Sequence, residues 1–256
     1  MNGMQVKNIK KWKKDYYEKQ NKHKTRKQSC FRVKILNKIK ETKLFLSGRP
    51  IDLGDACSLV GNSGCLLDNT HGEQIDSNQS VIRFNHAVTE GYEHSVGTKT
   101  NLRILNCHSI LNILDDSYYT TQKSRFPELD RHMLYDFKNE NLVFKTDPSW
   151  QLWRHKEILE KVEQDNNVYF IDEAFYNLGK KLNNGKEATN GFIGLLLALK
   201  SCRKIDCFGF SFYKSGAKKH YYEEVNEYNQ KMGHDFSQEE KWFLLLEKNE
   251  IIKFYR

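Results

Sequence analysis

Long hydrophobic runs are missing from the 256-residue sequence. The longest, Phe192 to Leu199, carries Gly194 and falls well short of the roughly eighteen or more uninterrupted apolar residues of a bilayer-spanning helix. No transmembrane segment is expected. The basic N-terminus is not followed by the apolar core of a secretory leader, so the expectation is a soluble, cytoplasmic protein. Cysteine is sparse: Cys30, Cys57, Cys65, Cys107, Cys202 and Cys207 include no CxxC pair, which excludes a disulfide scaffold and argues against structural zinc. Proline occurs only at Pro50, Pro127 and Pro148, and neither a repeat nor a low-complexity linker divides the chain.

Acidic residues are scarce at one end. Residues 1–43 hold 15 Lys and Arg against 3 Asp and Glu, net +12, whereas the remainder holds 26 against 30, net −4. The overall +8 therefore describes an extension, and the body is mildly acidic. The body lacks a basic stripe with interleaved stacking aromatics, so nucleic acid is not the expected partner. We expect 1–43 to be a basic extension, partly disordered or helical, with a short helix near 30–40. It is either a solvated arm or a peripheral contact to an anionic membrane. Residues 44–256 form a single domain.

In that domain short apolar runs alternate with longer amphipathic ones, the pattern of an α/β fold with buried parallel strands. Strands are expected at 57–60, 80–84, 102–106, 142–145, 168–171, 205–208 and 251–254. Helices are expected near 109–116, 149–164, 173–182, 189–201 and 237–248. Trp150, Trp153, Ile158 and Leu159 face the core from the second, which starts at Asp147-Pro148-Ser149.

Four segments could carry chemistry. In CSLVGNSG a strand runs into Gly61-Asn62-Ser63-Gly64, a turn that lets backbone and two polar side chains approach a phosphate or nucleotide; an ordinary strand-to-helix turn would look the same. In SVIRFNH, Asn85 stands at a strand's C-terminal edge, where open parallel sheets bind ligands, although a packing or capping role suits such residues as well. Thr189 and Asn190 cap a helix whose N-terminus would face an anion, or they simply cap a core helix. Finally, His234 precedes the last helix, for which Ser237 and Glu240 form a capping box; it is either a surface histidine or a general base whose pKa the positive helix end lowers.

Taken in series, these segments resemble the eukaryotic-type sialyltransferase family. CSLVGNSG and IDSNQSVIRFNHAVTEGYEHSVGTKT fall in its large motif, from Cys57 to about Cys107, and NGFIGLLLALKSCRKIDCFGF in its small motif, Ala188 to Phe210. His220-Tyr221-Tyr222-Glu223 is similar to the third motif, and His234 to Glu239 to the very small one. The resemblance implies a catalytic domain with a Rossmann-like α/β/α sandwich and a mostly parallel central sheet, a variant of the GT-A nucleotide-sugar transferase fold. It implies inverting transfer of sialic acid from CMP-sialic acid to a hydroxyl of a glycan acceptor, with no metal cofactor.

Residue by residue, the resemblance makes Asn62, Ser63, Asn85, Thr189, Asn190 and Gly191 contacts to CMP. His220 would lie against the donor phosphate, His234 would be the general base, and Tyr221, Tyr222 and Glu239 would shape or brace the site. The family links a large-motif cysteine to a small-motif one, matching Cys57 and Cys202; in a reducing cytosol the two would instead pack as thiols. The small motif usually opens with proline, two small hydroxyl residues and glycine, whereas this chain has Ala188-Thr189-Asn190-Gly191. Another CMP-activated acid such as Kdo as donor, and an inactive CMP- or nucleic-acid-binding module, remain alternatives. Acceptor loops are expected in 109–140 and 211–233.

Overall fold

The computed structural model describes residues 51–125, 138–145, 156–171, 173–212, 218–222 and 233–256. The basic extension, Trp150, Trp153 and Glu223 lie outside the described residues. Seven strands form one sheet: β1 (Ala56–Val60), β2 (Ser80–Phe84), β3 (Leu102–Asn106), β4 (Asn141–Lys145), β5 (Asn167–Phe170), β6 (Lys204–Phe208) and β7 (Lys253–Tyr255). Their order is β5-β4-β3-β2-β1-β6-β7, and every pairing is parallel. Parallel strands are buried on both faces, which is why they appear as short apolar runs without alternation. In β2 all five residues, SVIRF, are buried.

The described helices are α1 (Gly72–Asp76), α2 (Glu93–Val96), α3 (Cys107–Leu114), α4 (Asp116–Arg125), α5 (Lys156–Asp165), α6 (Glu173–Leu182), α7 (Asn190–Ser201) and α8 (Phe236–Lys248). A 3-10 turn, Gly64–Asp68, follows β1. Most expected elements are present within a residue or two. The expected helix at 109–116 is instead two helices broken at Asp115, the first capped by Asn106, whose side chain accepts from Ser109 N. Residues 251 and 252 precede the last strand rather than belonging to it. The last helix is capped not by Ser237 but by Asp235, whose carboxylate accepts from Gln238 N at 3.0 Å.

α7 buries nine of its twelve residues, more than the single face its sequence suggested. It packs on β1, β2 and β3 and against α6. Both approaches need glycine: a Cβ on Gly194 would enter the Phe84 ring, and one on Gly179 would lie 2.8 Å from Ile193 Cδ1. Thr189 Oγ1 caps the helix by accepting from Phe192 N at 3.0 Å.

Two arginines lie fully buried side by side in β2 and β3. Arg83 donates to the carbonyls of Val96 and Lys99 and to Thr100 Oγ1, while Arg103 forks onto Glu140 at 2.6 and 3.0 Å. Arg103 Nη1 also donates to the carbonyls of Asn85 and Ala87 at 2.8 and 3.0 Å. These charges fasten the 85–100 segment through the carbonyls of Asn85, Ala87, Val96 and Lys99, which join no strand ladder. Burial, with Arg103 alongside, pushes Arg83 down to about 10.

Candidate active site

From β1 the chain steps outward through β2 to β5, then returns to place β6 on the other side of β1. A parallel sheet opens a crevice at such a switch point, beyond the C-terminal ends of the strands. Here β1 is followed by Gly61 and β6 by Gly209, and their backbones touch: Gly61 N donates to Phe208 O at 2.8 Å, and a Cβ on Gly61 would collide with the Gly209 carbonyl oxygen. A cavity of about 500 Å³ opens there, lined by residues at or just beyond the C-terminal ends of β1, β2, β3, β4 and β6 and by the N-termini of α7 and α8.

Nine of the residues named from the sequence line this one cavity: Asn62, Ser63, Asn85, Thr189, Asn190, Gly191, His220, His234 and Glu239. Tyr221 and Tyr222 stand behind the wall. Tyr221 N donates to Asn62 O at 2.9 Å, Tyr222 Oη accepts from Asn62 Nδ2 at 3.2 Å, and Tyr221 Oη donates to Val88 O. The Tyr222 ring also stacks on His220, centroids 5.2 Å apart. Cys57 and Cys202 lie away from the cavity as free thiols hydrogen-bonded to each other, an arrangement that raises the Cys57 pKa.

His234 is held with one nitrogen committed. Its Nδ1 lies 2.7 Å from the Glu187 carbonyl, which can only accept, so Nδ1 carries the proton and Nε2 is left as the basic atom. Burial lowers the His234 pKa, the bond to Glu187 works in the opposite direction, and the Lys145 ammonium lowers it further. Glu239 is only 2% exposed and accepts from Thr189 N, Thr189 Oγ1 and Asn183 Nδ2 at 2.8, 2.6 and 3.1 Å. Burial pushes its pKa up to about 7, with the Thr189 donors only partly offsetting the loss of water.

Lys145 was legible in the sequence only as the end of a strand. It is buried, lines the cavity, donates to Ala188 O and pairs with Glu187 Oε1 at 2.7 Å. The segment 187–189 is thus gripped from three elements: Lys145 at the end of β4, Asn183 after α6, and His234 with Glu239 at the start of α8. The signal that could have found Lys145 is the one that singled out Asn85, a polar residue at the C-terminal end of a parallel strand. Replacing Lys145 by methionine is expected to raise the His234 pKa, because the lost cation had disfavoured the imidazolium. Histidine NMR titration checks this, and an unmoved titration would show that Lys145 does not act on His234. Phe84, Phe210, Phe212 and Phe243 complete an aromatic wall that short motifs do not reveal.

A parallel sheet with a switch-point cavity, a tight turn after β1 and a helix N-terminus across from it defines a Rossmann-like α/β protein. The chain belongs to glycosyltransferase family 29, the sialyltransferase family, whose profile matches residues 3–251. It is 28% identical to β-galactoside α-2,6-sialyltransferase 2 of Xenopus tropicalis over 189 residues, 66% of this chain and 34% of that one. It is 29% identical over 221 residues to CMP-N-acetylneuraminate-β-1,4-galactoside α-2,3-sialyltransferase of Mus musculus, 77% of this chain and 56% of that one. A β-1,6-galactosyltransferase of Arabidopsis thaliana is 27% identical over 213 residues, 76% and 51% of the two chains. The chain therefore spans between about a third and just over half the length of these relatives. In fold it is similar to the crystal structure of a mammalian sialyltransferase, with a TM-score of 0.59 at 20% identity over 88% of this chain and 78% of that one. Among the described residues no helix is long and apolar enough to cross a membrane, and no three His, Cys, Asp or Glu side chains gather as a metal set.

Proposed function

We propose that the chain transfers sialic acid from CMP-sialic acid to a hydroxyl of a glycan acceptor, with inversion and without a metal ion. The observation that carries this is His234, on the cavity wall with Nδ1 bonded to a carbonyl and Nε2 available as a base. Nε2 takes the acceptor's hydroxyl proton as that oxygen attacks the anomeric carbon. The bond from that carbon to the phosphate oxygen breaks on the opposite face, its electron pair leaves with CMP, and configuration inverts. His220 and the N-terminal amides of α7 stand where the departing phosphate gathers charge, the electrostatic work a metal performs in other transferases. The turn at 61–63, with Asn85 across from it, receives the nucleotide.

The test is CMP release from CMP-sialic acid with a panel of β-galactosides, product configuration read by NMR, in the presence and absence of EDTA. We expect acceptor-dependent release, the opposite anomeric configuration and no effect of chelation. The Arabidopsis relative's name favours a second reading, transfer of a neutral hexose, so UDP-galactose and CMP-Kdo belong in the same donor panel. Turnover of either in place of CMP-sialic acid would reassign the donor. Tight CMP binding with no turnover would make the chain a binding module.

A further inference from the structure

Asn190 occupies a place where the resembled motif carries a hydroxyl, and it is 8% exposed. Its Nδ2 donates to Asn85 Oδ1 at 2.7 Å and to Ile104 O at 3.3 Å. The same Asn85 Oδ1 accepts from Asn106 N at 3.2 Å. Both ends of this chain of bonds are backbone groups, a carbonyl that can only accept and an amide that can only donate, so neither side-chain amide can be turned over without losing bonds. Asn85 itself is held in the left-handed region, φ 50°, with its carbonyl gripped by Arg103. Its Oδ1 is thus turned to the protein, and among the described residues its Nδ2 has no partner.

We propose that Asn190 is a positioning residue that fixes the polarity of the cavity: by holding the oxygen of Asn85 inward, it makes Asn85 a hydrogen-bond donor to the ligand and never an acceptor. Asn85 then selects an acceptor oxygen, whether of a phosphate, a ribose or a pyrimidine carbonyl. The bridge also ties the end of β2 to the first residue of α7, so the two halves of the cavity keep their spacing without ligand. This rests on the nucleotide reading of the cavity for the ligand, but not for the bridge.

Both parts are measurable on the full chain labelled with 15N, with the side-chain NH₂ signals of Asn85 and Asn190 assigned by their loss in Asn85→Asp and Asn190→Leu. In the free protein the Asn190 NH₂ should exchange with solvent at least ~10-fold more slowly than that of Asn85, as a buried bonded group does. CMP should shift the Asn85 signal and leave that of Asn190 nearly in place. Cytidine shifting it equally would assign the oxygen to the nucleoside, and a response to CMP alone would assign it to the phosphate. Asn190→Leu should weaken CMP about 3- to 10-fold, the worth of one ordinary hydrogen bond, while Asn190→Ser, which restores a hydroxyl donor, should recover part of that loss. Faster exchange at Asn190 than at Asn85, or parental CMP affinity in both variants, would overturn the proposal. Failure of the parent to bind CMP would overturn the nucleotide reading instead, and the exchange comparison in the free protein would still decide the bridge.

Discussion

Replacing His234 with alanine is expected to lower the transfer rate by ~100- to 10,000-fold, the range for loss of a positioned base. The fall should lie in kcat, because Nε2 takes a proton only as the acceptor attacks, and CMP affinity should stay near the parental value. In the proposed mechanism the imidazole works in its neutral form. Activity is therefore lost as pH falls through the His234 pKa, and because burial and Lys145 depress that pKa, the acid limb should lie below the ordinary histidine value of 6.5. A rate profile from pH 4.5 to 8 checks the limb, and calorimetry with CMP checks the affinity. An alanine variant with an undiminished rate would remove His234 from the mechanism, whatever donor proves correct.

Replacing Glu239 with alanine should cost about 3 kcal/mol of stability and most of the activity. The change takes this acceptor from three donors, Thr189 N and Thr189 Oγ1, which are half-buried, and Asn183 Nδ2, which is buried and keeps only its bond to Glu187 O; a buried donor left unpaired costs about 1–3 kcal/mol, not additively. Thr189 is also the cap of α7, so the helix N-terminus that lines the cavity loosens with it. Glutamine at 239 keeps an acceptor for two of the donors and should hold the fold. It also exposes a linkage effect. The folded-state pKa of about 7 lies above the ordinary 4.5, so the folded protein binds this proton more tightly than the unfolded chain does. Stability from this group is complete below about pH 4.5 and is lost as pH rises through about 7, some 3 kcal/mol in all. Denaturant midpoints across that range should fall with pH more steeply in the parent than in Glu239→Gln. Parallel slopes would mean that Glu239 is not the titrating group.

The strands and the cavity residues were legible for related physical reasons. Runs such as SVIRF and LRILN are buried on both faces of a parallel sheet, so apolar density without alternation marked them, and their C-terminal ends marked the ligand side. What could not be seen were contacts that exist only after the sheet has formed. Lys145 ends a strand like any surface lysine until the neighbouring strands carry it beneath residues 187–189. Asp235 and Ser237 both have capping chemistry, and the sequence pattern favoured the serine because its partner Glu240 is nearby. In the fold Asp235 caps the helix and also takes a bond from Asn184 at 3.2 Å, an interaction remote in sequence. Arg83 and Arg103 are charges inside apolar runs, intelligible only once the carbonyls of 85–100 are seen to need donors.

The pairing of β1 with β6 joins segments roughly 150 positions apart in the chain, Ala56 opposite Lys204. Loop-closure entropy delays such contacts, and a chain made from its N-terminus holds the first strand unpaired on that side until the sixth has emerged. The turn at 61–63 therefore meets Phe208 and Gly209 only late in synthesis. A nascent chain that stops short of β6 can form part of the sheet but no cavity, so ligand binding reports completion of the fold and not merely its beginning.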